Sequence, residues 1–472
     1  MRRFISLAVC LLVVLPIGLV ILFSALSRHA LNRFLEEIVA RGEPIDPVEL
    51  LGPEIPAKDN FFEAPIIVHL RSDVPPNTGG EPWGSEEKFE WSEISGIQSS
   101  SVPERMVPRY FGSFSQTHLF GGLSPEECLE EIRQYTKGRE HTLRAVETAA
   151  MRPAARMSYQ IDQGFDIATP ELMQLLNIMR LLQLRSSLAL ESDMASAAAK
   201  DLQTNLRISR HLTNHPPLFS HLLAKAMLDI SVGDLNAGLR QFKWSKQDLH
   251  LILEELSSLE VERSFLRSIR FERAINIQLA IESDHKLFPS YHKWEILSDR
   301  LHDINCLKFF ETIQKGLLVD EDGNLAFKAV PPPEQFAEAL AELKSSKVKR
   351  ILFFQAIDFL PTFENFPKGA KRTSVALQQA QIAISLELYR QKHSEFPHRL
   401  NELEDELDPD LLLDPFTGRE MNYKRLPDGT YELYSVGLNS RDDGGLLKSN
   451  FEEGDWVWRL TLPDDFDYAD YE

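Results

Sequence analysis

The side chains best equipped for chemistry lie near the C-terminus, in Leu433-Tyr434-Ser435-Val436-Gly437-Leu438-Asn439-Ser440-Arg441-Asp442-Asp443-Gly444-Gly445, with Asp455 ten residues further on. Two adjacent carboxylates, an asparagine oxygen and a pair of glycines let a tight backbone turn its carbonyls inward. Hard oxygens crowded on a flexible loop suit Ca²⁺, which takes about 6–8 oxygen ligands. The spacing is not that of an EF-hand, because Arg441 falls at a ligand position and Asn450 stands where the closing glutamate would be. The residues alone leave two readings open, a calcium site and a polar hairpin loop.

A second set is histidine-based. His211 and His215 stand four apart before Pro216-Pro217, and His221 follows. Such a pair can share a helical face and chelate a metal, but no carboxylate intervenes as in H-E-x-x-H and no third ligand is marked. The ordinary reading is surface and helix-end histidines; the alternative is an envelope metal-dependent hydrolase of unknown substrate. His302 and Cys306 are also four apart, a spacing that one face of an amphipathic helix explains without a nucleophile and base. The sequence has no phosphate-cradling loop, dinucleotide fingerprint or G-x-S-x-G elbow, so no enzyme is expected.

Charge removes a further class. The 472 residues carry 51 Lys+Arg against 71 Asp+Glu, a formal net charge of −20. Phosphate neutralisation needs a basic face, so no nucleic-acid partner is expected. The imbalance is uneven: residues 401–472 hold 20 acids against 6 bases. The run Glu402, Glu404, Asp405, Glu406, Asp408, Asp410 and Asp414 reads as a solvated face, and residues 461–472 as a frayed acidic tail.

These groups must be positioned by a chain whose first element is apolar. Phe4 to Leu26 is a run of 23 residues without charge. As a helix it would be about 34 Å long, enough for a hydrocarbon core of about 30 Å. A transmembrane anchor over 1–28 is therefore expected, a cleaved signal peptide being the shorter alternative. Arg2 and Arg3 on one side face Arg28, Arg33 and Arg41 on the other, so the positive-inside count leaves orientation open. Residues 29–123 begin with an amphipathic stretch and continue through Pro44, Pro47, Pro53 and Pro56, reading as an extended stalk or a strap over a neighbouring surface.

Residues 124–370 carry helical signals. Ser124-Pro125-Glu126-Glu127, Thr169-Pro170 and Ser245-Lys246-Gln247-Asp248 are helix starts. Leu172, Leu175, Leu176, Met179 and Leu182 recur at helical intervals, as do Leu249, Ile252, Leu253, Leu256 and Leu259. A turn near Glu191–Asp193 makes Ala189–Leu212 the second half of a helical hairpin. No fixed repeat period emerges, so a helical bundle or irregular solenoid is expected. Asp320-Glu321-Asp322-Gly323-Asn324 reads as a hairpin turn. Cys128 and Cys306 are expected as free buried thiols, one long-range disulfide being the alternative. After Pro361, Thr373 or Ser374 can start a helix to about Lys392, followed by short strands over 421–423, 431–436 and 456–460.

Residues 373–460 also resemble the soluble domain of the major pseudopilin of type II secretion systems. The features run in order: Leu388-Tyr389, Phe396-Pro397, Leu400 and Leu403, Leu413-Asp414-Pro415-Phe416-Thr417-Gly418, Asn422-Tyr423, Leu433-Tyr434-Ser435-Val436-Gly437, then a Gly/Asp loop closing at Asp455-Trp456. The resemblance implies a helix on a small antiparallel sheet, outside the cytoplasmic membrane, with Ca²⁺ holding the last loop. It would make Asp442 or Asp443 and Asp455 carboxylate ligands and give Leu438 a carbonyl role; Asn439 stands where the family usually has aspartate. The N-terminus departs from the family, since Gly18 is followed by Leu19 and no acid follows, so fibre assembly is not implied. The single span, Arg41-Gly42-Glu43-Pro44 and the helical middle also resemble bacterial single-span membrane proteins of unassigned function. The sequence thus points to a mainly α chain. It has an N-terminal transmembrane helix in the inner membrane, an extracytoplasmic helical domain, and a small α+β pseudopilin-like domain over 371–460. It would act as a structural or interaction protein with envelope protein partners.

Overall fold

The computed structural model describes residues 15–71, 130, 133–134, 136–157, 170–285, 304–313, 334–403, 407–446, 448 and 453–460. The helices are α1 (Leu15–Ala40), α2 (Pro47–Leu51), α3 (Pro65–Arg71), α4 (Glu140–Ala150), α5 (Pro170–Glu191), α6 (Ala195–Asn214), α7 (Leu218–Arg240), α8 (Lys246–Ser257) and α9 (Val261–His285). They continue with α10 over 304–313, α11 (Glu334–Lys344), α12 (Lys347–Leu352) and α13 (Phe354–His393). The strands β1 (Asn422–Arg425), β2 (Tyr431–Ser435) and β3 (Trp456–Arg459) form one antiparallel sheet in the order β1-β2-β3. The loops at 73–84 and 320–324, the helix start at 124–127, Glu404 to Glu406, Cys128, His302 and the tail 461–472 lie outside the described residues. Cys306 is half-buried and forms no disulfide among the described residues.

One expectation is overturned at the N-terminus. Among the described residues no helix is long and apolar enough to cross a membrane. α1 does not stop at residue 28 but continues through Arg28, Arg33, Glu36 and Glu37. Its C-terminal half folds back onto the protein, burying Leu31, Phe34 and Ile38 against Ile277 of α9 and Leu307 and Phe310 of α10. Residues 4–14 of the apolar run lie outside the described residues. Just beyond α1, buried Glu43 pairs with buried Arg273 of α9 at 2.5 Å, fixing the chain where the prolines begin.

The interior is organised around α6, which packs against α4, α5, α7, α8 and α9. The leucine and methionine stripe of α5 buries Leu172, Leu175, Met179 and Leu182 in a cluster with Phe61, Phe62, Ile66 and Ile67 from the strap and with Leu143 and Val146 of α4. A second cluster joins α6 to α9 with α13 and the sheet, through Leu202, Leu249, Ile252, Phe265, Ile384, Tyr431 and Leu433. Burial of this kind contributes roughly 25 cal/mol per Å² of apolar surface removed from water.

Local chemistry sets the helix ends. The α5–α6 turn places Asp193 at φ 56°, and Met194 N–H donates to the Ala189 carbonyl at 2.8 Å. Ser245 and Asp248 form a reciprocal capping box at the start of α8, at 3.2 and 3.3 Å. α13 runs unbroken through Pro361 and Pro367, so the helix start expected at Thr373 is instead mid-helix; Thr373 is buried and donates to Asp229 Oδ1 at 2.8 Å. Tertiary packing on α7, α8 and α9 holds the helix across prolines that cost an isolated helix about 3 kcal/mol.

The turn after α7 depends on one glycine. Trp244 folds back to donate its indole N–H to the Leu235 carbonyl at 2.9 Å, and its ring lies across Gly238. A β-carbon at residue 238 would overlap that ring. Gly238→Ala is therefore expected to destabilise the protein by about 1–3 kcal/mol, the range for overpacking a filled core. The change should appear as a lower urea midpoint with helical content retained.

Candidate functional site

The β2–β3 loop holds the residues singled out by their oxygen donors. β2 pairs with β3 in register Leu433 to Trp458 and Tyr434 to Val457, which brings Asp455, at the start of β3, against the loop that leaves β2. Asp455 is buried, and its two oxygens accept the backbone N–H groups of Gly445 at 2.7 Å and Asp443 at 3.3 Å. Asp442 Oδ1 accepts from Gly444 N–H at 2.9 Å and from the Tyr434 hydroxyl at 3.0 Å. Asn439 caps the Arg441 N–H with its side-chain oxygen and donates its amide to Asp443 Oδ2, both at 2.9 Å. Leu438 enters the loop half-buried. Gly437, Gly444 and Gly445 all adopt positive φ, the conformations glycine supplies without strain.

Electrostatically the loop is crowded with negative charge. Burial raises the Asp455 carboxyl; the Gly445 and Asp443 amides pull it back, and the charges of Asp442 and Asp443 push it up again. Asp442 and Asp443 each keep one oxygen outside the hydrogen bonds described. The donor chemistry fits a hard cation, an all-oxygen set on a loop closed by glycines. In this arrangement the carboxylates do not converge: among the described residues no three His, Cys, Asp or Glu side chains are grouped as metal ligands.

The acidic run before the sheet is not uniformly solvated. Glu402, Asp408 and Asp410 are exposed, but Asp414 is buried. Its carboxylate accepts from Val436 N–H at 2.9 Å and Phe416 N–H at 2.8 Å, tying the Leu413–Gly418 turn to the end of β2. Its sequence signal was the following proline, since an aspartate before proline commonly opens a turn.

His211, His215 and His221 are buried rather than surface groups, and among the described residues no metal-binding cluster includes them. His211 is buried on α6, stacked on Phe61 with centroids 4.6 Å apart, its Nε2 at 3.0 Å from the Ala150 carbonyl. His215, at the end of α6, lies against Phe62 with Nδ1 2.7 Å from Ser220 Oγ. His221 of α7 packs on Phe265 with Nδ1 3.0 Å from Ser264 Oγ. Serine beside histidine resembles a nucleophile and its base, but here all these groups are buried. Their rings fill volume between helices, and one nitrogen of each meets a buried polar atom. Arg185 carries no local sequence signal, because its partners come from two other helices: Asp201 of α6 at 3.0 Å, and Glu140 and Glu147 of α4.

Burial lowers His211 and His221 to about 4 and His215 to about 3, so all three rings are neutral at pH 7. A histidine with a lowered folded value binds fewer protons folded than unfolded, so its contribution falls with pH below about 6.5. The loss is about 1.4 kcal/mol per pH unit per ring until the folded value is reached. Glu272, which accepts the Leu218 N–H at 2.9 Å and is raised by burial to about 7, acts in the opposite direction. The histidine part is therefore read directly: ring resonances of His211, His215 and His221 should stay in the neutral form from pH 8 to 5.

Comparison with family models, with curated proteins and with solved structures finds no match to this chain.

Proposed function

We propose that this chain is a non-enzymatic structural or interaction protein of the cell envelope whose C-terminal loop takes Ca²⁺. The observation that carries the reading is the contrast between the two ends of the chemistry. The helical interior turns its histidines, serines and carboxyls inward on one another. The β2–β3 loop instead presents Asp442 and Asp443 at the surface beside buried Asp455, three mutually repelling carboxylates on a glycine-closed turn. The sequence resemblance of residues 373–460 to the major pseudopilin supports the same loop as a cation site and directs the search for partners toward secretion machinery. Asp442, Asp443 and Asp455 would supply charge, and Leu438 and Asn439 neutral oxygens. Bound Ca²⁺ would supply the positive charge that holds these oxygens together.

A cation that binds only the folded state stabilises it by about 2.7 kcal/mol at one hundred times its dissociation constant. The full chain should therefore melt higher in Ca²⁺ than in chelator, and Asp442→Asn combined with Asp443→Asn should remove the difference. Because the folded Asp455 carboxyl is raised, its protonated form is favoured at low pH, so the Ca²⁺ effect should shrink on acidification. Equal melting with Ca²⁺ and with chelator at neutral pH overturns the calcium site. For the interaction role, affinity capture of the tagged full chain from envelope fractions should return the same partner in independent preparations; none recurring would sink it.

A further inference from the structure

We infer that the groove between α1, α10, α11 and the α12–α13 junction is a binding site for a free long-chain carboxylate. The groove encloses ≈ 280 Å³ and is walled by Phe34, Leu307, Leu343 and Phe353, with Leu26 at its open end. Phe34, Leu307 and Leu343 are buried core residues, so this wall is fixed by packing beneath it. The apolar face of α1 continues outward at four-residue spacing through Leu26, 40 % exposed, to Leu22, 52 % exposed. An alkyl chain lying along that face would cover apolar surface now in water.

Charge at the groove wall selects the head group. Glu311 accepts two cations, Arg33 at 2.7 Å and Lys308 at 3.1 Å, whereas Lys349 and Glu342 pair one to one at 3.0 Å. Among the described residues that line it, the groove thus carries one cation more than carboxylates, Arg33, Lys308 and Lys349 against Glu311 and Glu342. Arg33 lines the groove, is half-exposed and meets Glu311 through Nη2. Guanidinium and carboxylate match as paired parallel hydrogen bonds. A cationic amphiphile would meet Arg33 and Lys308 with like charge, and an uncharged one would leave the surplus unmatched. At ≈ 280 Å³ the space lies near the lower end of small-ligand pockets, about 300–1,000 Å³.

The test is calorimetric titration of the full chain with dodecanoate below its micellar range, then competition by dodecyltrimethylammonium and by dodecyl maltoside. Saturable binding at one site that neither competitor displaces is expected. Arg33→Glu should weaken binding about tenfold or more, a loss of at least about 1.4 kcal/mol. Leu26→Glu, which blocks the open end, should weaken it comparably, with circular dichroism unchanged in both variants. Displacement by the cationic or neutral amphiphile, unchanged affinity in folded Arg33→Glu, or no heat of binding overturns the site. So does binding to phosphatidylglycerol vesicles that dodecanoate does not relieve, because the occupant is then a lipid surface.

Discussion

The structure depends on burying a helix that is not hydrophobic. α6 lies among five other helices yet carries Asp201, Thr204, Asn205, Ser209 and His211 in its buried part. A buried polar group left without a partner costs about 1–3 kcal/mol, so those that no group of α6 itself satisfies dictate where another element must be. Thr204 and Ser209 are satisfied within α6, by the carbonyls of Lys200 and Asn205 at 2.9 Å. Asn205 reaches across to the Met179 carbonyl of α5 at 3.3 Å, and His211 to the Ala150 carbonyl that ends α4. Burial raises Asp201 to about 6 against the pull of Arg185, which gathers α4, α5 and α6 around one guanidinium. Apolar burial supplies the driving force, and these polar contacts choose the arrangement.

This division explains what the sequence discloses. Repeating apolar positions are a local signal, and the stripes of α5 and α8, the α5–α6 turn at Asp193 and the Ser245 capping box all read directly from the chain. The three short strands near 421–460 also carried their own turn signals. The long-range polar pairs carry none: Arg273 with Glu43, or Arg185 with Glu140, cannot be inferred from spacing because the partners are far apart in sequence. α13 misled in the other direction. Its two prolines are local signals of a break, and packing on three helices overrides them.

The N-terminal helix shows the limit of composition. An uncharged run suggested a boundary at residue 28, but α1 joins that run to an amphipathic half whose phenylalanine and isoleucine belong to the core. Among the site residues, the oxygen donors of the β2–β3 loop were legible because they are neighbours in sequence. What could not be read was the role of Tyr434, whose hydroxyl holds Asp442, or of Asp414, whose carboxylate anchors the end of β2.

Two adjacent side chains on α13 join the parts. Gln379 donates to the Trp456 carbonyl of β3, and Gln378 to the carbonyls of Leu411 and Leu413, all at 2.7 Å. The same helix buries Ala380, Ile382, Ala383, Ile384 and Leu386 in the cluster shared with α6 to α9. The sheet and its acidic loop are thus built on the spine of the helical core, and residue 371 lies inside that spine. Recombination that exchanged the C-terminal segment for another would have to carry half of a core helix with it.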